Sequence, residues 1–453
     1  MKNGQWRNGI LGLLILWTTT LLWPAAVWAQ DDLTQLKAEL EAQRQKQAEL
    51  QNRINQLEAR QRLKERAMSE KIEQVEAKAE QAEVKDSAAV LPDNLKWLEK
   101  IKISGDFRYR HEHIDRQRAV DGNAEWRSGR DRERIRARLK VSANVNDEWD
   151  VVFRMATGQY EFFEDTILAD AVSTNQTLTN FGSRKDFWLD MAYFNYHPVA
   201  IEGLNVIGGK MQNPFYKVGK NQLIWDGDLT PEGGALQYVR ALSESDTLTV
   251  NGGGFWLKER SSDADASMWG IQAHVKHALG TPDYILAGAG WYDYGNIQGL
   301  DADEYDIGLG NTIDPATGEW VNDYDILEFF VEYGTRLGGL PLAVVGTWVE
   351  NTAASTGEDT GWLVGGKIGK AKDPGSWQFG YDYRDVERDA VLSLWNDSDF
   401  NGGLTGGKGH VVSAAYQAFK NVQLALTYFH SEVDLADPDL DYRRLQADLV
   451  VKF

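Results

Sequence analysis

"RERIRARLKVSANV" (Arg132–Val145) alternates two chemistries over its whole length. Basic side chains stand at Arg134, Arg136, Arg138 and Lys140, and apolar ones fall between them at Ile135, Ala137, Leu139, Val141, Ala143 and Val145. A period of two means an extended strand whose faces meet different surroundings. One face of this strand is apolar, and the other carries a ladder of positive charge.

The same period recurs along the chain. In "IKISGDFRYRHEH", Ile101, Ile103, Phe107 and Tyr109 oppose Lys102, Ser104, Asp106, Arg108 and Arg110. In "EWDVVFRMATG", Trp149, Val151, Phe153 and Met155 oppose Asp150, Arg154 and small residues. The chain ends on "LQADLVVKF", with Leu445, Ala447, Leu449, Val451 and Phe453 set against Gln446, Asp448 and Lys452. Sixteen such strands are predicted, near 101–111, 133–145, 149–158, 186–196, 203–211, 232–242, 246–258, 267–277, 283–292, 325–336, 341–350, 360–370, 375–385, 408–419, 421–431 and 442–453. Gaps after even-numbered strands are short ("NDE", "SES", "GGLP"), whereas most gaps after odd-numbered strands are longer, including 112–132, 159–185, 212–231, 293–324 and 386–407. Soluble sandwiches do not sort loops by parity. An up-and-down antiparallel barrel in an outer membrane does, with short turns on one side and long loops on the other. The predicted fold is therefore an all-β transmembrane barrel of about 16 antiparallel strands, over residues 100–453.

Composition agrees. The 453 residues include 43 glycines, 17 tryptophans, 17 tyrosines, 16 phenylalanines and no cysteine. That usage suits many turns and aromatic girdles, and it excludes disulfides and thiolate chemistry. Mean hydropathy is −0.46, far from that of a multi-span helical membrane protein. Residues 1–29 carry Lys2, Arg7, an apolar run and small residues at Val27 and Ala29, the layout of a secretory signal peptide rather than a permanent anchor. Residues 30–86 are almost free of Gly, Pro and aromatics. There Leu33, Leu36, Leu40, Leu50, Ile54 and Leu57 keep heptad spacing, and a four-residue stutter follows before Ile72 and Val75. A periplasmic coiled-coil helix is predicted, about 80 Å long at 1.5 Å per residue, with a solvated single helix as the plainer reading. Residues 87–99 read as a linker.

Net charge is −20. Residues 31–92 hold 11 Lys+Arg and 13 Asp+Glu, so the acidity belongs to the barrel segment that also holds the ladder. Strong acidity argues against nucleic acid as a partner. Within a barrel the apolar face of Arg132–Val145 must meet lipid, because arginine at the bilayer midplane costs roughly 2–4 kcal/mol. The basic face therefore lines the interior. Arg108, Arg110, Arg134, Arg136, Arg138, Lys140 and Arg154 form one predicted pore-lining wall, compensated by water, anions or acidic groups of the loops opposite. Of the seven histidines, His111 and His113 share a strand face, but no third metal ligand and no Ser/His/carboxylate motif stands beside them. Neither a cofactor nor a catalytic residue is expected. An outer-membrane enzyme and an adhesin are the competing readings.

"SGDFRYRHEH", "RDRERIRARLKVSANVNDEWDVVFRMATG", "STNQTLTNF", "FWLDMAYFNYHP", "GGKMQNPFY" and "LIWDGDLTPEGGALQY", in that order, resemble the "putative porin" family of Gram-negative outer membranes. The resemblance implies a β-barrel pore for passive diffusion of small hydrophilic solutes or ions, and a homotrimer. The helix before the barrel is similar to that of phosphate-selective porins, although their lysine ladders are replaced here by arginine. By its position, "GGKMQNPFYKVGKNQLIWDGDLTPEGG" (Gly208–Gly234) corresponds to the loop that narrows trimeric porins. Asn213 and Pro214 break the strand there, and Asp226 and Asp228 are expected to face the arginine wall. The plainer reading is an ordinary exposed loop. The terminal Phe453 resembles the signal read by the outer-membrane assembly machinery. The helix implies either a clamp between protomers or a link to peptidoglycan.

Overall fold

The computed structural model describes residues 93–453, apart from 164–165, 180, 262, 303–309 and 435–438. The predicted signal peptide and coiled coil lie outside the described residues, as does most of the predicted linker. Asp93–Lys100 forms a short 3₁₀ helix.

Among the described residues, sixteen strands of seven residues or more then follow in chain order: β1 (Ile101–Val120), β2 (Arg130–Asn146), β3 (Trp149–Thr157), β4 (Phe187–Tyr196), β5 (Leu204–Lys210), β6 (Glu232–Ala241), β7 (Asp246–Lys258), β8 (Ala266–Gly280), β9 (Asp283–Gly295), β10 (Tyr324–Leu337), β11 (Leu340–Asn351), β12 (Thr360–Gly369), β13 (Trp377–Val386), β14 (Gly407–Phe419), β15 (Val422–Val433) and β16 (Leu440–Lys452). Each pairs antiparallel with its chain neighbour. β1 also pairs with β16, placing Tyr109 opposite Leu449 on one side and Ile135 on the other. The barrel sheet closes on itself, so none of its sixteen strands is an edge strand. At the seam, Gly105 and Phe453 exchange backbone hydrogen bonds of 2.9 and 3.0 Å. A Cβ on Gly105 would stand 2.5 Å from the Phe453 ring and 2.3 Å from the Arg138 carbonyl oxygen. Only glycine lets the last ring close over the first strand.

All sixteen strands stand where the alternation puts them, but their ends differ. The stretch 112–132 is predicted as loop, yet β1 runs on to Val120 and β2 begins at Arg130. Pairing continues from His111↔Glu133 to Ile114↔Arg130, and 117–120 then pair with a short strand, Asn123–Trp126. Beyond the lipid zone neither face needs apolar residues. The hydrophobic period disappears there while the backbone ladder persists.

The phase of the strands is plain in β1 and β2. Phe107, Tyr109 and Leu139 are each 40% exposed on the outer face, whereas Arg110 and Arg134 retain only 5% and 6%. The barrel is not hollow throughout. Inward side chains of β7–β12, among them Phe255, Met268, Tyr292, Phe330, Val345 and Leu363, form one apolar cluster with Trp225, Trp320 and Trp395 of the long loops. These loops fill one side of the interior. The polar space that remains lies mainly along β1–β6 and β11–β16.

Candidate functional site

The seven predicted wall residues come from three neighbouring strands, and β-pairing sets their spacing. Arg108 is directly opposite Arg136, Arg110 opposite Arg134, and Lys140 opposite Arg154. Like charges so placed repel. The structure answers with carboxylates set in the same wall, rather than with acidic loops alone. Asp106 lies between Arg136 and Arg138, at 2.8 and 2.7 Å. Asp448 of β16 meets Arg110 at 2.6 Å and stands 4.0 Å from Arg108. Glu112 is fully buried and collects Arg132, Arg134 at 3.8 Å and Arg444 at 2.7 Å. Arg154 is paired with Asp190 of β4. Lys140 makes no ion pair among the described residues. The expectation of acids held across the lumen is thus met only in part, since most counterions are interleaved with the arginines. At cross-strand distances a charge on the far side of a barrel is too remote and too well screened to balance a neighbour.

The segment between β5 and β6 lies inside the barrel. Its near end is tied to the apolar side: the Tyr216 amide donates to Gln272 Oε1 at 2.7 Å, the Tyr216 hydroxyl donates to Glu332 at 3.1 Å, and Lys367 Nζ donates to the Gly219 carbonyl at 2.6 Å. Pro214 is buried beside this anchor, its carbonyl accepting from Gln237 at 2.8 Å, while Asn213 Oδ1 accepts the Phe215 amide at 3.0 Å and shapes the turn. The far end reaches the arginine wall. Asp228 stands 3.7 Å from Arg136 and 3.3 Å from Arg138. Asp226 does not touch the wall; its carboxylate accepts from the Ser398 amide and hydroxyl, at 3.0 and 2.9 Å, in the loop between β13 and β14.

Two further loops meet it there. Thr174, between β3 and β4, donates its hydroxyl to Asp228 at 2.8 Å, and the Ser398 hydroxyl donates to the Val172 carbonyl at 3.3 Å. Asp399 stands 2.8 Å from Arg444 and 3.4 Å from Arg110. Around this meeting point are two cavities. One, of about 1200 Å³, opens among the long loops; the other, of about 470 Å³, lies deeper. Val172, Asp228, Ser398 and Asp399 line both, so the cavities adjoin at a neck made by three loops.

The neck carboxyls differ electrostatically. Burial pushes the Asp228 carboxyl up, but Arg136, Arg138 and Arg108 outweigh burial and hold it down to about 2. Asp399 behaves alike: burial raises it, and Arg444 and Arg110 bring it below the usual carboxylate range. Asp226 goes the other way, driven well above its ordinary value by burial and by the neighbouring Asp228 and Asp397. The neck thus combines two firmly ionised carboxylates, each held by arginines, with one that resists ionisation.

Several of these partners were legible but unread. Asp106 and Glu112 share the parity of Arg108 and Arg110 on β1, and Arg444 and Asp448 share an inward parity on β16. Arg384, buried on β13 and 2.7 Å from Asp397, alternates with Tyr381 and Tyr383. The part played by Val172, Ser398 and Asp399 left no such signal, because loop docking has no period. His111 and His113 are each taken by a carboxylate, Glu133 at 2.7 Å and Asp131 at 2.6 Å.

The sequence profile of the family described as "Putative porin" matches residues 115–317 and 338–453. No curated protein matches the sequence. Among solved structures, the high-pH structure of Pseudomonas putida OprB aligns over 79% of this chain and 96% of its own, at 12% identity and a TM-score of 0.51. That likeness is one of fold. Salmonella typhi OmpF, in complex with daunomycin, aligns over 78% of this chain and 97% of its own at 11% identity and a TM-score of 0.46. The Acinetobacter baumannii outer membrane channel DcaP aligns over 78% and 97% at 13% identity and 0.42. These two are too distant to carry an inference.

Proposed function

We infer how this chain works from the premise that it belongs to the "Putative porin" family and is an outer-membrane porin channel. Small hydrophilic solutes and ions diffuse passively through the polar part of the lumen. They pass from the large cavity to the small one by way of the neck. Arg108, Arg110, Arg134, Arg136, Arg138, Lys140 and Arg154 line or underlie that path, and the segment bearing Asn213, Pro214, Asp226 and Asp228 is its constriction. The observation that carries this reading is the split character of β2. Leu139 is 40% exposed on the outside, between Arg138 and Lys140 of the inner face, so the same strand is dressed for lipid and for water. The test is a planar bilayer. Purified full-length chain should give discrete conductance steps, and liposomes carrying it should swell in small uncharged sugars. A folded, inserted barrel that gives neither result would refute the pore and leave the adhesin reading.

The long loops face outward and the short turns face the periplasm in this reading. Homotrimers are the proposed assembly, with residues 30–86 as a periplasmic coiled coil that clamps the protomers. Its support is the heptad seam at Leu50, Ile54 and Leu57. Attachment to peptidoglycan is the alternative role of that helix. Phe453, 63% exposed at the seam, is the proposed contact for the outer-membrane assembly machinery.

A further inference from the structure

The arginine ladder does not stop where the lipid face of β1 and β2 stops. Arg116 and Arg118 continue the inner face of β1, and Arg127 and Arg130 lead into β2; all four are exposed and line the large cavity. Their pairing differs from that of the deeper rungs. Arg118 stands 4.0 Å from Glu125, whereas Arg116, Arg127 and Arg130 make no ion pair among the described residues. The acids of the same lining are engaged: Asp190 with Arg154, Glu232 with Lys210 at 2.8 Å, Asp228 with Arg136 and Arg138, Asp399 with Arg110 and Arg444, and Asp170 with the Val172 amide at 3.0 Å. Eight basic side chains and five acidic ones line this cavity. Seven and five line the smaller one. Both linings therefore present more basic than acidic side chains inside a chain of net charge −20, although Asp106, Glu112 and Asp448 pair several of the basic ones without lining the cavities themselves.

We propose that the large cavity is a collecting site for small oxyanions, carboxylates or phosphates, and that the passage below it favours anions over cations. The proposal rests on the porin reading and specifies its solute class. The guanidinium fork matches the geometry of carboxylate and phosphate oxygens. The free arginines lie at the entrance, in water, where attraction is modest and release is fast. Deeper rungs are already paired with Asp106, Glu112 and Asp448, so they supply positive potential without a vacant, desolvated fork that would trap the solute. A path with weak sites outside and already paired ones at the neck lets an anion enter and leave, which conduction requires.

The experiment uses the full-length chain in planar bilayers under a tenfold KCl gradient. The parent's reversal potential should have the sign of chloride preference. In the triple variant Arg116→Gln/Arg127→Gln/Arg130→Gln it should move toward zero, with swelling in uncharged sugars unchanged. Sodium succinate and sodium phosphate, each added on the long-loop side, should reduce parent chloride current saturably. The half-blocking concentration should rise at least threefold in the variant, and the more potent blocker identifies the oxyanion. Folding of the variant is checked by heat-modifiable gel mobility. If it fails to fold, the exposed single substitution Arg130→Gln should move the reversal potential in the same direction. A cation-selective parent, or a reversal potential that the substitutions leave in place, overturns the proposal while the porin reading stands. A parent with no conductance steps overturns the porin reading itself.

Discussion

Asp228→Asn isolates the charge that ties the inward segment to the wall. The carboxylate lies 3.3 Å from Arg138 and 3.7 Å from Arg136, and its other oxygen accepts from Thr174. Asparagine keeps the shape and an acceptor but removes the charge. With an effective dielectric of about 20, each contact is worth about 4–5 kcal/mol before desolvation. Asp106 holds the same two guanidinium groups, so only part of that is lost. Removing one partner of a buried pair costs about 3–5 kcal/mol; water in the lumen puts the net near the lower end, about 3 kcal/mol. That is roughly a hundredfold in the equilibrium between docked and released segment. The assay is amide hydrogen exchange at Thr174, whose N–H donates to Asp228 at 3.2 Å. It should exchange about a hundredfold faster in the variant, with amides of the β1–β2 ladder unchanged. The pH dependence has a defined sign. A carboxyl held down to about 2 contributes stability that is complete above the ordinary carboxylate value near 4 and is lost as pH falls through about 2. Thr174 protection, corrected for intrinsic exchange, should therefore persist from pH 7 to 4. Exchange within threefold of the parent at pH 7 would refute the argument.

Glu112→Gln leaves Arg132, Arg134 and Arg444 facing a neutral group at a fully buried position; it should lower folding stability by about 3–5 kcal/mol, read from the urea midpoint of heat-modifiable mobility, and an unchanged midpoint would sink the interleaved-wall account. Leu139→Arg places charge on the lipid side and should cost roughly 2–4 kcal/mol in refolding into liposomes, whereas a neutral outcome would mean the strand phase is wrong. Deleting Phe453 removes the ring over Gly105 and should reduce the heat-modifiable barrel recovered in the outer membrane; equal recovery counts against an assembly role. Deleting residues 31–86 should give trimers that dissociate at lower temperature, with conductance retained. Trimers as heat-stable as the parent's, together with loss of co-sedimentation with peptidoglycan, would favour the tether.

The barrel was legible because lipid imposes a rule on every second residue. Leu139 between Arg138 and Lys140, or Leu445, Ala447 and Leu449 between Arg444, Gln446 and Asp448, has one physical solution. Parity also carried the counterions, and Asp106 and Glu112 needed only to be read on the face of Arg108 and Arg110. Legibility ended where the rule ended. Past Glu112 both faces of β1 meet water, so a strand running to Val120 looked like loop. The neck was harder still. Asp228 could be aimed at the wall from its place in the chain, but Asp226 binds Ser398, which is 172 residues away. No local pattern encodes such a meeting. It follows from the shape of the space that three loops are left to share.

That space is set by the two halves of the interior, which solve one problem in different ways. A 16-stranded cylinder is wide, and a polar segment crossing it would be held only by contacts that water can replace. On one side the chain avoids this with apolar mass: Trp225, buried to 1% exposure, stacks on Phe215 at 5.0 Å and meets Tyr292 edge-on at 4.5 Å. Such contacts do not weaken with salt. On the other side the wall must stay wet and charged, so rigidity comes from pairing. Asp106, Glu112 and Asp448 each bind two or more arginines, which fixes the guanidinium planes. The inward segment spans from one regime to the other, with Tyr216 and Gly219 anchored against β8 and β10 and Asp228 against β2. Raising the salt should therefore loosen only its Asp228 end, leaving the Tyr216 end docked. The neck can thus respond to ionic conditions without losing the loop that forms it.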